Sequence, residues 1–462
     1  MKYIEEDTIV ALATPLGRGA IAVVRLSGPQ SLTIVNRMLV RKLGCKDVRR
    51  AVFSDLVAAD SGELIDQVVV TYFQGPASYT GEDVVEISCH CNPLIIDQII
   101  SQAVQHGARV AEPGEFTFRA FLNHKLDLSQ AEAVAEVIDA RTSQSLKQSL
   151  HHLEGRLSEK IVVIKDELLD CLSRLEISLD FSEEDLEIIP TEQLRSRLTG
   201  VVNRIKAFLK TYAYGRLLEN GARLLIVGKP NVGKSSLLNL LLGKERAIVS
   251  ELPGTTRDYI EAGLELDGIF IQAVDTAGVR QTQDWVESIG IQRTLELLKT
   301  ADVALAMFEG HRVLDGDDRE MLRIIRAHRE ETPFVLVVNK ADLGVRKEVL
   351  AALRALKLPL VIFSVKTERG RDELKATIRR VLIREAVGDS EEVVITRARH
   401  RAILEGVVTA LEDALQSLKQ GAPEEVVALD VRVALDRLGE ITGETTPEEV
   451  LRHIFSHFCI GK

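Results

Sequence analysis

The sequence predicts an α+β N-terminal domain, an α-helical central domain and an inserted α/β domain with a mostly parallel sheet. Three observations predict these parts. Short runs of strand length fill residues 1–120, leucines recur with helical spacing after residue 121, and strand and helix signals alternate over residues 217–385. The length of 462 residues, at about 150 per domain, agrees with three domains.

The N-terminal domain, residues 1–120, is predicted from four apolar or alternating runs: IVALAT, AIAVVRLSG, QVVVTYF and DVVEISCHC. Gly, Pro and Ser separate these runs, as is typical of turns between short strands. This pattern indicates an α+β domain.

The helical domain is predicted in two parts, residues 121–216 and 386–462. Apolar residues from Leu146 to Leu179 recur at steps of three and four, which predicts one amphipathic helix roughly 50 Å long. Near the chain end, Thr446 is predicted to cap a helix that begins at Pro447. Because a half-bundle needs an apolar partner, we expect the two parts to pack together. The α/β domain, residues 217–385, is then an insertion.

Charge and cysteine content restrict the class of protein. Lys and Arg number 58 and Asp and Glu 69, so the net charge of −11 repels polyanions unless cations cluster locally. Nucleic-acid binding is therefore not predicted from charge. Five scattered cysteines, an N-terminus without a signal-peptide pattern, and apolar runs far shorter than the roughly 18 residues of a membrane span predict a cytoplasmic location and no membrane span.

A phosphate-binding loop is predicted directly after the strand RLLIVG. Residues 228–235 fit G-x-x-x-x-G-K-S between a strand and a helix. Backbone amides would hold phosphates, Lys234 would reach the outer phosphates and Ser235 would bind Mg²⁺. The alternative is a chance turn.

Three further motifs follow in order, each at the end of a predicted strand. DTAG begins at Asp275, NKAD begins at Asn339 and ends at Asp342, and SVK begins at Ser364. The carboxylate of Asp342 can accept from two N–H groups of guanine, which adenine lacks. Together these motifs predict a GTPase domain.

The catalytic arrangement is predicted to differ from that of Ras-like enzymes. Apolar Val279 follows DTAG where Ras-like enzymes carry a Gln that orients water. Thr256, in the loop AIVSELPGTTRD, could complete the Mg²⁺ shell. The side-chain carbonyl of Asn231 could bind a monovalent cation where an arginine finger would stand, but local chemistry favours a loop-capping Asn.

Several motifs together resemble the tRNA-modification GTPase MnmE (TrmE) family, and the resemblance covers all three domains. They are GKPNVGKSSLLN, PGTTRD, DTAGVR, NKAD, ATPLGRGAIAVVRLSG, YTGEDVVEISCH, PGEFTFRAFLNHKLDLSQAEA and LGEITGETTPEEVLRHIFSHFCIGK. The resemblance implies a cytoplasmic, potassium-activated GTPase that forms a homodimer through its N-terminal domain. With the FAD-dependent subunit MnmG (GidA), in a heterotetramer, it would install a carboxymethylaminomethyl group on the wobble uridine of certain tRNAs.

The resemblance also implies the nucleotide and metal ligands. It implies that Glu287 is catalytic by orienting water, and that K⁺ is bound by Asn231, Ser250, Leu252 and Thr255. The catalytic role of Lys234 and the binding of Mg²⁺ by Ser235 and Thr256 follow from the motifs described above. The GTP-binding residues, from motifs and resemblance together, are Asn231, Val232, Gly233, Lys234, Ser235, Ser236, Ser250, Glu251, Leu252, Pro253, Gly254, Thr255, Thr256, Asp275, Thr276, Ala277, Gly278, Asn339, Lys340, Asp342, Ser364, Val365 and Lys366.

The resemblance further implies a site for 5-formyl-tetrahydrofolate or a related folate. Its residues are Arg25, Glu86, Lys125 and Lys462, and a catalytic role is implied for Cys459 beside it. A carboxylate suits the amidine-like donors of a pterin, and Arg or Lys suits the anionic glutamate tail. The alternatives are ordinary surface charges and, for Cys459, a buried structural thiol.

One departure from the family pattern and two rival functions remain. The chain has His90, Cys91 and Asn92 where the family commonly has H-G-G, and because Cys tolerates a left-handed backbone poorly, we expect a differently shaped loop. One rival is an RNA-binding assembly GTPase of the Era or Der type, which would append a basic RNA-binding module. The other is a folate-dependent one-carbon transferase in which GTP is regulatory.

Overall fold

The computed structural model describes residues 7–180, 190–243, 263–275, 295–383 and 393–462. The chain divides into two compact units. The first unit comprises Met1–Ile138, Ser149–Val202 and Ile403–Lys462, and the second comprises Asp139–Gln148 and Asn203–Ala402. The second unit interrupts the first along the chain, as predicted for an inserted domain.

The described residues form two six-stranded sheets and a series of helices. The strands are β1 Thr8–Leu12, β2 Ile21–Ser27, β3 Ala51–Val57, β4 Leu64–Phe73, β5 Val84–His90, β6 Ala108–Val110, β7 Ala222–Val227, β8 Gly263–Leu266, β9 Ile269–Asp275, β10 Val303–Glu309, β11 Phe334–Asn339 and β12 Leu360–Ile362. The helices are α1 Ser31–Met38, α2 Pro93–Gln105, α3 Glu115–Leu122, α4 Leu128–Asp139, α5 Ser143–Leu153, α6 Arg156–Asp180, α7 Thr191–Leu209, α8 Tyr212–Asn220, α9 Lys234–Gly243, α10 Gly316–His328, α11 Lys347–Arg354, α12 Arg371–Leu382, α13 Ala398–Gln420, α14 Glu424–Thr442 and α15 Glu448–Ser456.

The N-terminal sheet has the order β3-β4-β5-β2-β1-β6, with antiparallel neighbours apart from the parallel pair β1 and β6. Alternate residues point to one face, where apolar side chains of α1 and α2 complete a buried core. The opposite face leaves Ile21, Phe53 and Val69 exposed. The α+β prediction is confirmed, although the sequence pattern did not predict β3 and β6.

The prediction of one long helix from Leu146 to Leu179 is wrong. The chain forms α5 and α6, separated at Gly155, whose φ of 84° interrupts the helical backbone. The expected packing of the two helical parts is confirmed, because α6 packs against α14 and the ion pairs Lys165–Glu444 and Arg432–Glu176 flank this contact.

The predicted N-cap at Thr446 is also wrong. Helix α15 begins at Glu448 with Pro447 before it, and no side chain caps it. The Thr446 hydroxyl instead donates to the carbonyl oxygen of Glu440 at 2.9 Å. That carbonyl belongs to α14, so Thr446 fixes the turn between α14 and α15.

The second sheet has the order β12-β11-β10-β7-β9-β8, with parallel neighbours except for the antiparallel pair β8 and β9. Two buried apolar clusters lie on its faces, one with residues of α9 and α12 and the other with residues of α10 and α11. Helices thus cover both faces, and the doubly wound prediction is confirmed. No helix among the described residues is long and apolar enough to cross a membrane.

Candidate functional site

The loop between β7 and α9 has the backbone of a phosphate loop. Gly228, Asn231 and Gly233 have φ values of 149°, 61° and 107°, which glycine adopts readily and asparagine tolerates. A Cβ atom at Gly233 would lie 2.4 Å from Nδ2 of Asn339, so only glycine fits there. The Lys234 ammonium donates to the carbonyl oxygens of Gly228 at 2.7 Å and Lys229 at 3.0 Å, which places it over the loop. This is a cationic anion-binding loop at a helix N-terminus.

Asn339, at the end of β11, joins three of the predicted motifs. Its Nδ2 donates to the carbonyl oxygen of Val232 at 2.8 Å, and its Oδ1 accepts from the amide of Val365 at 3.2 Å. The neighbouring Lys340 donates to the carbonyl oxygen of Asn231 at 3.1 Å and pairs with Glu309. The structure therefore brings the phosphate loop, NKAD and SVK together at one edge of the sheet.

Asp342 is a charged, exposed carboxylate held at this edge. The buried Ser364 donates from Oγ to Oδ1 of Asp342 at 2.6 Å. That hydrogen bond, a hydrogen bond with the backbone of Asp342 itself and the charge of Lys366 lower the pKa of Asp342. The carboxylate is fixed on one side by Ser364, and its remaining lone pairs can accept from a ligand with two N–H groups.

An ion-pair cluster that sequence reasoning missed supports the phosphate loop, with Lys229 and Asp318 nearly buried and Asp315 53% exposed. Lys229 donates to Asp315 at 2.7 Å and to Asp318 at 2.8 Å. Burial opposes the charge of Lys229, but the two carboxylates outweigh it and its pKa is raised. Lys229 and Asp315 lie 86 residues apart, and no local pattern signals their contact.

Part of the predicted nucleotide site lies outside the described residues. These positions are Ser250, Glu251, Leu252, Pro253, Gly254, Thr255, Thr256, Thr276, Ala277, Gly278 and Glu287. The backbone of Asp275 ends β9 beside Ile226 of β7. Ser235 and Ser236 are exposed in the first turn of α9.

A second cluster in the first unit joins three of the four predicted folate residues. Arg25 of β2 lies opposite Glu86 of β5, and its Nε and Nη2 contact Oε1 of Glu86 at 2.9 and 2.8 Å. Its Nη1 lies 3.4 Å from the carbonyl oxygen of Gly461. Burial, and then the charge of Arg25, lower the pKa of the adjacent Lys462.

Two aromatic rings that sequence reasoning did not assign flank Arg25. Its guanidinium carbon lies 5.5 Å from the ring centre of Tyr79 and 5.6 Å from that of Phe116. The Tyr79 hydroxyl and Thr117 Oγ1 are 2.8 Å apart, and burial raises the pKa of Tyr79. Both rings belong to motifs quoted for the resemblance, YTGED and PGEFTFR, but neither motif indicates a contact with Arg25.

The chain end is fixed against β1. A Cβ atom at Gly461, whose φ is 94°, would lie 2.2 Å from the carbonyl oxygen of Leu12, so only glycine fits. Phe455 and Phe458 are buried and hold the tail in place. Cys459 is exposed, so its interpretation as a buried structural thiol is wrong.

Among the described residues, Lys125, the fourth predicted folate residue, is not bonded to the cluster of Arg25, Glu86 and Lys462. Its ammonium is exposed and donates to the carbonyl oxygen of Pro76 at 3.1 Å. Within the described ranges no hydrogen bond or ion pair joins it to Arg25, Glu86 or Lys462.

The loop after β5 does not use a left-handed backbone at Cys91 or Asn92. Asn92 instead caps α2, because its Oδ1 accepts from the amide of Leu94 at 2.9 Å. The Cys91 thiol lies 3.3 Å from the carbonyl oxygen of Gly17. The residues that depart from the family's H-G-G pattern thus form a capped turn into α2.

Strand order, the phosphate loop and the guanine-compatible Asp342 define a P-loop domain of the guanine-nucleotide class, inserted into a helical domain. A family model described as the MnmE helical domain matches residues 128–459, and one described as the GTP-binding protein TrmE N-terminus matches residues 8–125. The chain belongs to the MnmE (TrmE) family of tRNA modification GTPases.

Curated relatives match the chain along its whole length. A protein named tRNA modification GTPase MnmE from Moorella thermoacetica is 43% identical, covering 99% of this chain and 100% of that one. Proteins of the same name from Carboxydothermus hydrogenoformans and Alkaliphilus metalliredigens are 40% and 39% identical, each covering 99% of this chain and 100% and 99% of their own lengths.

Proposed function

We propose that this chain is a potassium-activated GTPase that works with an FAD-dependent MnmG (GidA) subunit in a heterotetramer. Together they install a carboxymethylaminomethyl group on the wobble uridine of certain tRNAs, with a folate-derived one-carbon unit. The observation that carries this proposal is the pairing, on one chain, of a guanine-compatible nucleotide site with the Arg25–Glu86 cluster at the chain end. A nucleotide switch alone would not need the second cluster.

In the nucleotide site, Lys234 would bind the outer phosphates, Ser235 and Thr256 would hold Mg²⁺, and Asp342 would select guanine. Asn231, Ser250, Leu252 and Thr255 would hold K⁺ in the place of an arginine finger, and Glu287 would orient the attacking water. The exposed side chain of Asn231 and the ammonium of Lys234 support this assignment.

In the second cluster, Glu86 would accept from the pterin of 5-formyl-tetrahydrofolate, while Arg25, Lys125 and Lys462 would meet its anionic tail. A ligand that binds only the folded chain raises its melting temperature. We therefore expect 5-formyl-tetrahydrofolate to raise the melting temperature of the chain. An unchanged melting temperature at saturating folate would contradict the folate part of the proposal.

The homodimer would form through the N-terminal domain. Support comes from part of the sheet face opposite α1 and α2, where Ile21, Phe53 and Val69 are 65%, 59% and 39% exposed. Exposed apolar side chains on one sheet face are typical of an interface, and an isologous pairing would bury them in both copies. The cytoplasmic location and the domain boundaries 1–120, 121–216, 217–385 and 386–462 stay predictions.

Replacing Tyr79 tests whether its ring holds Arg25 in place for the folate. We expect Tyr79→Leu to weaken 5-formyl-tetrahydrofolate binding by about 3- to 30-fold, because it removes a cation–π contact. Tyr79→Phe keeps the ring over Arg25, loses only the hydroxyl contact with Thr117, and should bind within about threefold of wild type. Calorimetric titration measures both affinities. Equal binding by the Leu and Phe variants would remove the ring from the site.

The tail should separate folate chemistry from GTP hydrolysis. We expect Cys459→Ser to lower tRNA wobble modification, and removal of Gly461 and Lys462 to lower both modification and folate affinity. Neither change should alter GTP turnover, because the tail residues and the phosphate loop belong to different compact units. Parallel assays of GTP turnover, folate binding and modified nucleosides decide this. Normal modification by both variants would exclude a catalytic tail.

A further inference from the structure

Six exposed cations lie within fourteen residues of the N-terminal domain. They are Arg37, Arg41, Lys42, Lys46, Arg49 and Arg50, which belong to the segment of residues 37–50, here named the basic loop. Its one acidic residue, Asp47, is 4% exposed and does not face solvent. The basic loop therefore presents a strongly positive surface on a chain whose net charge is −11.

The basic loop is held in a fixed conformation. Asn36, just before it, exchanges two hydrogen bonds with the backbone of Leu43, at 2.7 and 3.0 Å. Asp47 accepts from the amide of Gly44 at 3.0 Å, and the amide of Arg49 donates to Tyr72 of β4 at 2.7 Å. These contacts place the cations on a rigid surface, so binding a ligand would not require ordering the loop.

The cations of the basic loop mostly lack carboxylate partners. In the part of the chain that the structure describes, Arg41 pairs with Asp47 at 3.6 Å, and the other five cations form no ion pair. Exposed arginines on the helices behave differently, since Arg195, Arg323 and Arg452 pair with a Glu three or four residues away. An ordinary solvated helix face carries such pairs, whereas the basic loop keeps its charge available.

The positive surface continues toward the second cluster. Arg49 donates to the carbonyl oxygen of Ala77 at 2.9 Å, and Lys125 donates to the adjacent carbonyl of Pro76 at 3.1 Å. Arg49 and Lys125 thus donate hydrogen bonds to two consecutive residues of one loop. Lys125 is one of the residues proposed to meet the anionic tail of the folate, so the basic loop lies next to one residue of the proposed folate site.

We infer that the basic loop binds the phosphate backbone of the tRNA substrate. Unpaired Arg and Lys side chains on a rigid surface are complementary to a polyanion, and their position beside Lys125 would bring the RNA near the folate cluster. The inference rests on the proposed function, because it takes the polyanion to be the tRNA that is modified. Contacts of this kind position the RNA without reading its sequence.

The experiment compares tRNA binding by the full chain and by a variant with Arg37→Gln, Lys46→Gln and Arg50→Gln. The probe is an unmodified tRNA transcript, and dissociation constants are measured between about 50 and 200 mM KCl. We expect the variant to bind tRNA at least about tenfold more weakly than the wild type. The slope of log K against log salt is negative, and we expect its magnitude to decrease by about 2 to 3, because each phosphate contact contributes about 0.7 to 0.9.

The matched control carries Arg326→Gln, Lys347→Gln and Arg354→Gln, the same charge change on exposed residues of α10 and α11. It should bind within about twofold of wild type. Equal losses in the two variants, or none in either, would overturn the inference. The inference would also be overturned if the basic-loop variant lost binding of the partner subunit while its tRNA affinity stayed unchanged. That result would make the surface a protein-docking site. Should the triple variant not fold, Arg50→Gln alone should lower the slope by about 0.8, and an unchanged slope would overturn the inference.

Failure of the inference and failure of the proposed function give different results. If the wild type binds tRNA and the basic-loop variant binds it equally well, the inference alone is overturned. Wild-type protein, with its partner subunit present, that does not bind the transcript overturns both the inference and the tRNA part of the proposed function.

Discussion

Asp342→Asn should lower GTP affinity by at least about 100-fold and create affinity for xanthosine triphosphate. Ser364 donates to Oδ1 of Asp342, so the Asn side chain would keep its oxygen toward Ser364 and turn its NH₂ group toward the base. Guanine presents N–H donors there, and two facing donors leave both unpaired. Xanthine presents an oxygen in place of the exocyclic amine and restores the hydrogen bond.

Titration of both nucleotides into the wild type and the variant measures this change. Asp317→Asn is the control, because Asp317 is an exposed carboxylate in the same unit and lies outside the predicted motifs. It should leave GTP affinity unchanged. Undiminished GTP binding by Asp342→Asn would show that NKAD does not contact the base.

GTP hydrolysis should be at least about tenfold faster in KCl than in NaCl at equal ionic strength. A cation in the arginine-finger position neutralises charge that develops on the phosphates, and an arginine finger itself contributes several powers of ten. Na⁺ is smaller than K⁺ and fits a cage of carbonyl oxygens sized for K⁺ poorly. Rates of phosphate release in the two salts test the prediction.

The backbone at Asn231 determines which variants are informative. Because its φ is 61°, Asn231→Ala would combine loss of the carbonyl with backbone strain. Asn231→Gly removes the carbonyl without that strain and should abolish the difference between the salts, whereas Asn231→Asp keeps a side-chain oxygen. A potassium effect that survives in Asn231→Gly would contradict the assigned ligand.

Much of the fold was predictable because many of its strands are short, apolar runs. The five predicted strands of the second sheet fall at β7, β9, β10, β11 and β12. Apolar periodicity failed between Leu146 and Leu179, since the spacing of leucines continues through Gly155 while the backbone does not. The spacing of apolar residues indicates which face is buried. A single residue with positive φ can divide a helix without changing that spacing.

The candidate sites were predictable where one motif carries the chemistry, and not where distant residues meet. The phosphate loop and NKAD are each a continuous stretch of sequence, and each was predicted. The hydrogen bonds by which Asn339 joins the phosphate loop to SVK became visible only in the structure. Tyr79 and Phe116 beside Arg25 were missed for the same reason. The exposure of Cys459 could not be predicted, because free cysteines are usually buried and this one follows Phe458 beyond the last helix.

The central proposal, that tRNA modification requires nucleotide bound at this site, is tested most directly by changing the base that the site accepts. The measurement is the carboxymethylaminomethyl content of wobble uridine in tRNA, after reaction with the chain, its partner subunit, folate and either GTP or xanthosine triphosphate. We expect wild-type protein to modify tRNA only with GTP, and Asp342→Asn to do so only with xanthosine triphosphate. Modification by Asp342→Asn with GTP at the wild-type level, or by either protein without nucleotide, would contradict the proposal.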